Sequence, residues 1–434
     1  MKSLALKLLM GILRLLAKMT VFKYKPEMIG VTGTVGKTSA KLAIGAALRN
    51  GKRVRASAKS YNNELGLPLT ILGDWESTEG PWFWPRVVIS SLWRLIVRSK
   101  NYPHCIVLEY GIDRPGDMRK LLSIARPAVG VLTAMGSTPV HIEFFSGPDA
   151  VLREKAKLIA QLPATGFAIL NADNKAVMSV KNQTRAQVVT FGFTEGADVK
   201  ITTFAQAVIG NSAEVSFKLL HAGSFVPIKL EGVLGRTQAY AAAAAAAVGL
   251  ASGINLVTIA ESFKFYHAPN GRLKVVKGIK GTLIIDDTYN ASPIAVSEAL
   301  YTIKGLKPKR AIAVLGDMLE LGKYTLEEHE TIGRFAAKTV NILLTVGLRG
   351  KFMAEAALRA GFPRRSVFSF MNVVEAGMFL QNKIQKGDVI LIKGSQGVRL
   401  EKVVKEIMAE PLEAQRLLVR QSKVWDAKPG LYDI

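Results

Sequence analysis

The sequence predicts an α/β protein with two parallel-sheet units in series, the first opening on a phosphate loop. Three observations carry this. Short β-rich runs alternate with helical stretches from residue 28 to about 267, the pattern of strands joined by crossover helices. The alternation restarts beyond the turn triplet Pro269-Asn270-Gly271 and runs to about residue 408, a Rossmann-like second unit. Between the first strand and first helix of the leading unit stands Gly30-Val31-Thr32-Gly33-Thr34-Val35-Gly36-Lys37-Thr38-Ser39.

That phrase sets the first two elements. An apolar run ending at Ile29 feeds a glycine turn, and Ser39-Ala40-Lys41-Leu42-Ala43-Ile44 reads as the opening turns of a helix. Backbone N–H groups and a helix N-terminus cradle phosphate in such a setting. Lys37 is placed to reach outer phosphates, and the Thr38 hydroxyl suits Mg²⁺. Val31 stands where the longer form of the motif carries glycine, so the match is to the shorter spelling, Gly33-x-x-Gly36-Lys37-Thr38. An ordinary glycine-rich turn is the competing account, but it supplies no packing reason for Lys-Thr directly after the glycine. The reading is a nucleoside triphosphate site.

The other elements follow in order. Strands are expected at 28–31, 53–56, 105–109, 129–133, 167–170 and 188–191, a β-meander over 198–233, and an alanine-rich helix over 239–251. The second unit has strands at 283–285, 311–315, 342–346, 367–370 and 389–392. From residue 410 the chain has helical character through 419, with Trp425 expected to dock. The domains so read are a basic amphipathic helix (1–27), an ATP-binding unit (28–268), a Rossmann-like unit (269–409) and a tail (410–434).

Bulk properties narrow the class. A chain of 434 residues with 49% hydrophobic content has room for two or three packed cores. Cys105 is the only cysteine and lies in the apolar run His104-Cys105-Ile106-Val107-Leu108, so no internal disulfide exists and a buried core role is expected. A reducing, cytoplasmic compartment is the corresponding expectation. The formal charge of +24 is spread along the chain without aromatic interleaving or a nucleic-acid module, so no specific nucleic-acid partner is expected. Attraction to anionic substrates, attraction to an anionic membrane surface, and simple compositional bias remain as explanations.

Residues 1–20 are mostly apolar, with Lys7, Arg14 and Lys18 on one helical stripe. These charges interrupt any bilayer-crossing span, and no small-residue cleavage site follows. The segment reads either as a helix in a membrane interface, peripheral at its inner face, or as a helix packed on the protein's own body or a partner. Residues 82–98 repeat the mixture, with Val, Ile, Leu and Trp interleaved with Arg86, Arg94 and Arg98. They read as a second membrane-facing helix or as a buried helix with snorkelling arginines.

Further phrases occur in order after the glycine loop: Tyr61-Asn62-Asn63-Glu64-Leu65-Gly66-Leu67-Pro68; Glu109-Tyr110-Gly111; His141-Ile142-Glu143; Leu170-Asn171-Ala172-Asp173; Asp286-Asp287-Thr288-Tyr289-Asn290-Ala291-Ser292-Pro293; Leu315-Gly316-Asp317-Met318-Leu319-Glu320-Leu321-Gly322; and Lys393-Gly394-Ser395. Together, over roughly residues 28–408, they resemble the Mur ligase family of ATP-dependent peptide-bond-forming enzymes.

The resemblance implies transfer of the ATP γ-phosphoryl group to a carboxylate, followed by attack of an amine on the acyl phosphate. It further implies a nucleotide-sugar peptide precursor as acceptor and a D-alanyl-D-alanine-like dipeptide as amine, in peptidoglycan synthesis. By the same resemblance Gly33, Thr34, Gly36, Lys37, Thr38 and Ser39 hold ATP phosphates, while Thr38, Glu109 and His141 bind Mg²⁺, although an ion-paired glutamate at a strand end is the competing account for Glu109. Histidine is a poor partner for magnesium on chemical grounds alone. Lys155, within Arg153-Glu154-Lys155-Ala156-Lys157, matches a carbamylated lysine, although a solvated helix lysine is the competing account. Arg272 reaches the phosphates from the second unit, and Asp287 binds the ribose hydroxyls beside Asp286, Tyr289 and Asn290. Asn62 and Asn63 approach the sugar-peptide, whereas Lys393, Ser395 and Asp317, with Glu320 nearby, face the incoming amine. His329 reads as an ordinary helix residue.

Three features depart from the family pattern. Only the basic amphipathic segment precedes the glycine loop here, where relatives carry a uridine-diphosphate-binding domain. Gly235-Arg236-Thr237-Gln238 stands where relatives carry His-Asn near adenine, and Gln396 stands where an arginine is frequent. Rival readings are a ligase of the same chemistry with another acceptor, such as folylpolyglutamate or cyanophycin synthetases use, a non-ligating membrane-attached nucleotide-binding protein, and a basic nucleic-acid-stimulated ATPase.

Overall fold

A computed structural model describes residues 2–57, 59–75, 80–210 and 212–432. The first sheet is built from β1 (Glu27–Thr32), β2 (Val54–Ala56), β3 (Cys105–Glu109), β4 (Val129–Leu132), β5 (Phe167–Asn171), β6 (Gln187–Gly192), β7 (Val199–Ile209), β8 (Ser212–His221) and β9 (Ser224–Glu231). Their order across the sheet is β2-β3-β1-β4-β5-β6-β7-β8-β9. Pairing is parallel from β2 through β7, then antiparallel through β8 and β9. β1 and β3 are almost wholly buried, so they read as continuous apolar runs, as strands covered on both faces do. β9 instead alternates, with Val226, Ile228 and Leu230 inward, because only one face of the meander is covered.

The buried side of the meander and of β5 to β7 is filled by the helix Arg236–Ala251, whose residues 241–249 are all buried. Alanine side chains let this helix lie close to both the sheet and α2 (Lys37–Ala47). The long helix α1 (Lys2–Tyr24) buries Leu13, Leu16, Ala17 and Thr20, one helical face, against α3 (Gly66–Leu72) and α4 (Phe83–Ile96). Residues 82–98 are therefore a helix with two sides: Phe83, Val87 and Ser91 face the body, while Trp82, Ile89, Trp93 and Ile96 face outward. Among the described residues no helix is long and apolar enough to cross a membrane. Cys105 is buried in the core, and that burial pushes its thiol up to about 12.

The chain passes to a second sheet between Phe265 and Lys274. It comprises β10 (Lys274–Lys277), β11 (Leu283–Asp286), β12 (Ala311–Gly316), β13 (Ile342–Val346), β14 (Val367–Phe370) and β15 (Val389–Lys393), in the order β10-β11-β15-β12-β13-β14. All pairs are parallel except β10 with β11. β10 is an element that the sequence reading lacks: four residues flanked by lysines and glycines carry too little pattern to separate from the preceding turn. The tail also differs from expectation. Its helix ends at Leu417, where Leu418 turns extended, and a further helical turn spans Lys423–Asp426. Trp425 docks by lying 5.4 Å from the Arg399 guanidinium, whose Nη1 donates to the Trp425 and Lys428 carbonyls.

Candidate active site

The glycine loop leaves the C-terminal end of β1, with β3 on one side and β4 on the other. Successive crossovers diverge there, the place where open α/β sheets bind ligands. Gly33 has φ +144°, and a Cβ on it would lie 2.1 Å from the Thr133 hydroxyl. Gly36 has φ +86° and precedes the first turn of α2. Both positions need glycine for conformation, and the second aims the helix N-terminus and its free N–H groups into the cleft.

The Thr38 hydroxyl lies 3.1 Å from Ser60 Oγ and donates across 3.1 Å to Glu109 Oε2. Asn62 Nδ2 donates to the other Glu109 oxygen at 3.3 Å. Lys41 Nζ is 3.3 Å from Oε2, with both side chains buried. Burial alone raises the Glu109 carboxyl, but Lys41, Lys37 and Arg272 outweigh it and hold the group below its ordinary value. Lys41 and Ser60 are absent from the sequence reading. The spacing of Lys37 and Lys41, one turn apart on α2, carried the signal, because residues at i and i+4 share a helix face.

Lys37 is half-buried and lies 3.5 Å from the Thr34 carbonyl; desolvation lowers its ammonium while Glu109 opposes that shift. Lys155, on the helix Pro148–Ala160, is buried and donates to the Gly33 carbonyl at 2.9 Å. Desolvation, then the nearby Lys37 cation, hold this amine well below its ordinary value. The two lysines share a cavity of about 70 Å³ with Thr34, Asn62, Asp113 and His141.

His141 lies at the junction with the second lobe. Its Nε2 is 3.2 Å from Asp113 and its Nδ1 is 2.7 Å from Glu320, the latter at an angle that misses hydrogen-bond geometry. Glu320 belongs to the second lobe, so His141 bridges the lobes, and its proximity holds the Glu320 carboxyl below its ordinary range. Thr138 donates to Glu328 at 2.5 Å in a second contact between the lobes.

From the second lobe, Arg272 stacks 4.1 Å from the Tyr289 ring, and its Nε is buried without a hydrogen-bond partner. The Arg272 charge acts on Lys37, Lys41 and Glu109, so cations from both lobes converge on one cleft. Arg272 shares a small cavity with Gly36, Thr38, Ser39, Asp287 and Lys393. Lys393 Nζ lies 2.6 Å from Asp287 Oδ2 and donates to the Asn290 carbonyl at 2.9 Å. It therefore braces the Asp287 wall of the cleft, on the nucleotide side.

Other expected substrate residues are engaged structurally. Asn63 Oδ1 accepts from the Leu65 and Gly66 amides, capping α3, while Asn62 stays at the cleft. Asp317 is buried and accepts from Gly350 N at 2.7 Å and Tyr432 Oη at 2.5 Å. Ser395 Oγ accepts from Leu319 N at 2.9 Å. His329 is buried and accepts from Met318 N at 3.0 Å, as a helix packing residue does. Beside the loop a cavity of about 200 Å³ is lined by Asn171, Asp173, Asn174, Thr237, Tyr240 and Glu298, large enough for a nucleobase. Tyr240 donates to Asp173 at 2.7 Å, and Thr237 reaches this cavity from the segment that departs from the family pattern.

The oxygens beside Thr38 are two hydroxyls and the Glu109 carboxylate, whose oxygens also meet Lys41 Nζ and Asn62 Nδ2. This chemistry fits Mg²⁺, which takes one or two protein oxygens and fills its shell from substrate phosphates and water. The imidazole of His141 lies between the carboxylates of Asp113 and Glu320.

A glycine loop on one α/β lobe, facing an arginine and a carboxylate from a second across a cleft, defines a two-lobed nucleotide-handling protein. The family profile described as Mur ligase middle domain matches residues 93–249, and that of Mur ligase, glutamate ligase domain matches 271–396. The chain belongs to the Mur ligase family. It is 29% identical over 402 residues to the UDP-N-acetylmuramoyl-tripeptide–D-alanyl-D-alanine ligase of Bacillus subtilis (strain 168), covering 92% of this chain and 80% of that one. It is 30% identical over 403 residues to the Mycobacterium leprae (strain TN) ligase of the same name, covering 86% and 72%. Among solved structures, MurF from Acinetobacter baumannii superposes with a TM-score of 0.73 at 25% identity, covering 92% of this chain and 80% of that one. MurF ligase from Thermotoga maritima, in complex with ADP, gives 0.73 at 25% identity, covering 94% and 84%.

Proposed function

We propose that the chain is an ATP-dependent ligase joining D-alanyl-D-alanine to the carboxylate of a UDP-N-acetylmuramoyl-tripeptide in peptidoglycan synthesis. The observation that carries this is the convergence of Lys37, Thr38 and Glu109 from one lobe with Arg272 from the other. The names of the relatives supply the two substrates, and they favour this acceptor over the folyl or cyanophycin alternatives.

In this reading the loop N–H groups and Lys37 grip the β- and γ-phosphates, and Arg272 closes on them with its unpartnered Nε. Thr38 and Glu109 would hold Mg²⁺, which supplies charge neutralisation on the transferring phosphoryl group. Asp287, kept in place by Lys393, accepts from the ribose hydroxyls, and the Asp173–Tyr240 cavity takes adenine. The acceptor carboxylate enters beside Asn62 and attacks the γ-phosphorus, expelling ADP; the dipeptide amine then attacks the acyl carbon and expels phosphate. Charge stabilisation and alignment do most of the work, because phosphoryl transfer asks little else of the protein.

Lys155 is read as carbamylated. A neutral amine adds to the carbon of CO₂ and releases one N–H proton to solvent, leaving a carbamate anion, and burial beside Lys37 favours that neutral amine. The anion so formed would pair with Lys37 and orient it. His141 aligns the lobes through Asp113 and Glu320, and the strand ends carrying Asp317 and Ser395 form the wall for the amine. Residues 1–20 are read as meeting a membrane surface from the side on which the acceptor is made.

The test is a mass-spectrometric assay with ATP, D-alanyl-D-alanine and UDP-N-acetylmuramoyl-tripeptide. The ligated pentapeptide precursor is the expected product. Product with a folyl or polypeptide acceptor, and none with this one, would transfer the site to the alternative ligase.

A further inference from the structure

We propose that α1 and α4 together form a docking face for an anionic lipid bilayer, built from both helices rather than from residues 1–20 alone. The inference is independent of the ligase reading.

The helix α1 has three faces. Leu13, Leu16, Ala17 and Thr20 are buried in the body. Leu4, Leu8, Ile12, Leu15, Met19 and Phe22 recur at three- and four-residue intervals, so they form one continuous outward stripe. Lys7, Arg14 and Lys18 make a basic row along the edge of that stripe, and all three are exposed. A helix that only packed on its own protein would bury its single apolar face; this one carries a second.

The helix α4 repeats the arrangement. Trp82 and Trp93 are 79% and 63% exposed, and Ile89 and Ile96 are 66% and 77% exposed. Lys23 Nζ and Tyr24 Oη at the end of α1 donate to the Arg94 and Leu95 carbonyls in the last turn of α4. That clamp joins the C-terminal ends of the helices, where Phe22 and Ile96 both stand outward. Exposed apolar residues of the two helices thus meet at that end rather than standing singly.

Charge chooses the occupant. Neither helix contains an aspartate or glutamate, while α1 carries Lys2, Lys7, Arg14, Lys18 and Lys23 and α4 carries Arg86 and Arg94. The spacing of the α1 stripe would also suit another helix, but a second copy of this chain would set basic rows against basic rows. An anionic headgroup layer complements them, at about 1 kcal/mol per basic residue near the surface. Exposed indoles flanking an aliphatic patch suit the headgroup boundary, where an apolar ring with a polar N–H is best placed. Leu6 and Met10 of α1 also line a groove of about 340 Å³ together with Asn62, Asn63 and Glu64.

The test is co-sedimentation of the full chain with vesicles of phosphatidylglycerol and phosphatidylcholine, against phosphatidylcholine alone. The variants are Leu8→Glu with Leu15→Glu on α1, and Ile89→Glu with Trp93→Glu on α4. All four side chains are exposed, so the variants are expected to keep the wild-type melting temperature. Wild type should partition onto the anionic vesicles at least tenfold better than onto neutral ones, less so at high salt, and each variant should lose at least tenfold. Wild type remaining in the supernatant with both vesicle types would overturn the proposal. So would unchanged partitioning of either variant, or a wild-type dimer in solution that the variants break without vesicle binding.

Discussion

Lys41 Nζ lies 3.3 Å from Glu109 Oε2, on the oxygen that also accepts from Thr38. A buried cation therefore sits where the proposed metal would add a second positive charge, so the proposed catalytic role of Glu109 is separable from its role in folding. Removing one member of a buried pair leaves the other unpaired, at about 3–5 kcal/mol. Glu109→Gln should accordingly lower stability in urea by roughly 3 kcal/mol and kcat/KM by roughly a hundredfold. The double variant Lys41→Met with Glu109→Gln should recover most of the stability and none of the activity. Recovery of activity in the double variant would remove Glu109 from the chemistry.

Arg272 presents a guanidinium stacked on Tyr289 with an unpartnered buried Nε. Lysine keeps the charge but loses the planar fork and the stacking. Arg272→Lys should lower kcat/KM for ATP about tenfold and Arg272→Ala about a hundredfold, in steady-state assays with the other substrates saturating. Equal activity in all three proteins would contradict a grip from the second lobe.

Burial, then the nearby Lys37 cation, lower the affinity of the Lys155 amine for its proton. Carbamylation should therefore appear as a carbonyl resonance in carbon-13 NMR after incubation with labelled bicarbonate, and vanish in Lys155→Arg. Activity should fall in carbonate-free buffer and return on adding bicarbonate. It should also fall as pH drops, because protonating the amine releases CO₂.

Asp286 is buried with one carboxylate oxygen unpaired, and burial pushes the carboxyl up to about 6. An unfolded aspartate titrates near 3.9, so between these values the native state binds the extra proton. The stabilising contribution is fully present below about pH 4 and is gone above about pH 6, a loss of roughly 3 kcal/mol. Asp286→Asn has no such proton to lose. Its unfolding free energy, minus that of the wild type, should climb by about that amount from pH 4 to pH 7; a flat difference would contradict it.

The two-sheet architecture was legible because most of its strands are buried on both faces and spell continuous apolar runs, as Cys105–Glu109 and Val389–Lys393 do. β10 was not, since a four-residue edge strand with a single buried side chain, Val276, carries too short a pattern to read. The proximity of Thr38 and Glu109 was expected from the resemblance to Mur ligases, and the structure places the two side chains 3.1 Å apart. The partnerships of Lys41 with Glu109, Lys393 with Asp287 and His141 with Glu320 were not expected, because each joins elements remote in sequence. The outward stripe on α1 was half legible: its periodicity is in the sequence, but only packing tells which of two apolar faces the body covers.

The central claim is that the acceptor carboxylate passes through an acyl phosphate held between the two lobes. It is tested most directly by labelling that carboxylate with oxygen-18 and analysing the phosphate released during ligation. The account predicts that phosphate carries one labelled oxygen, since the bond broken by the amine is the one from carbon to the bridging oxygen. Ligated product with wholly unlabelled phosphate would contradict it.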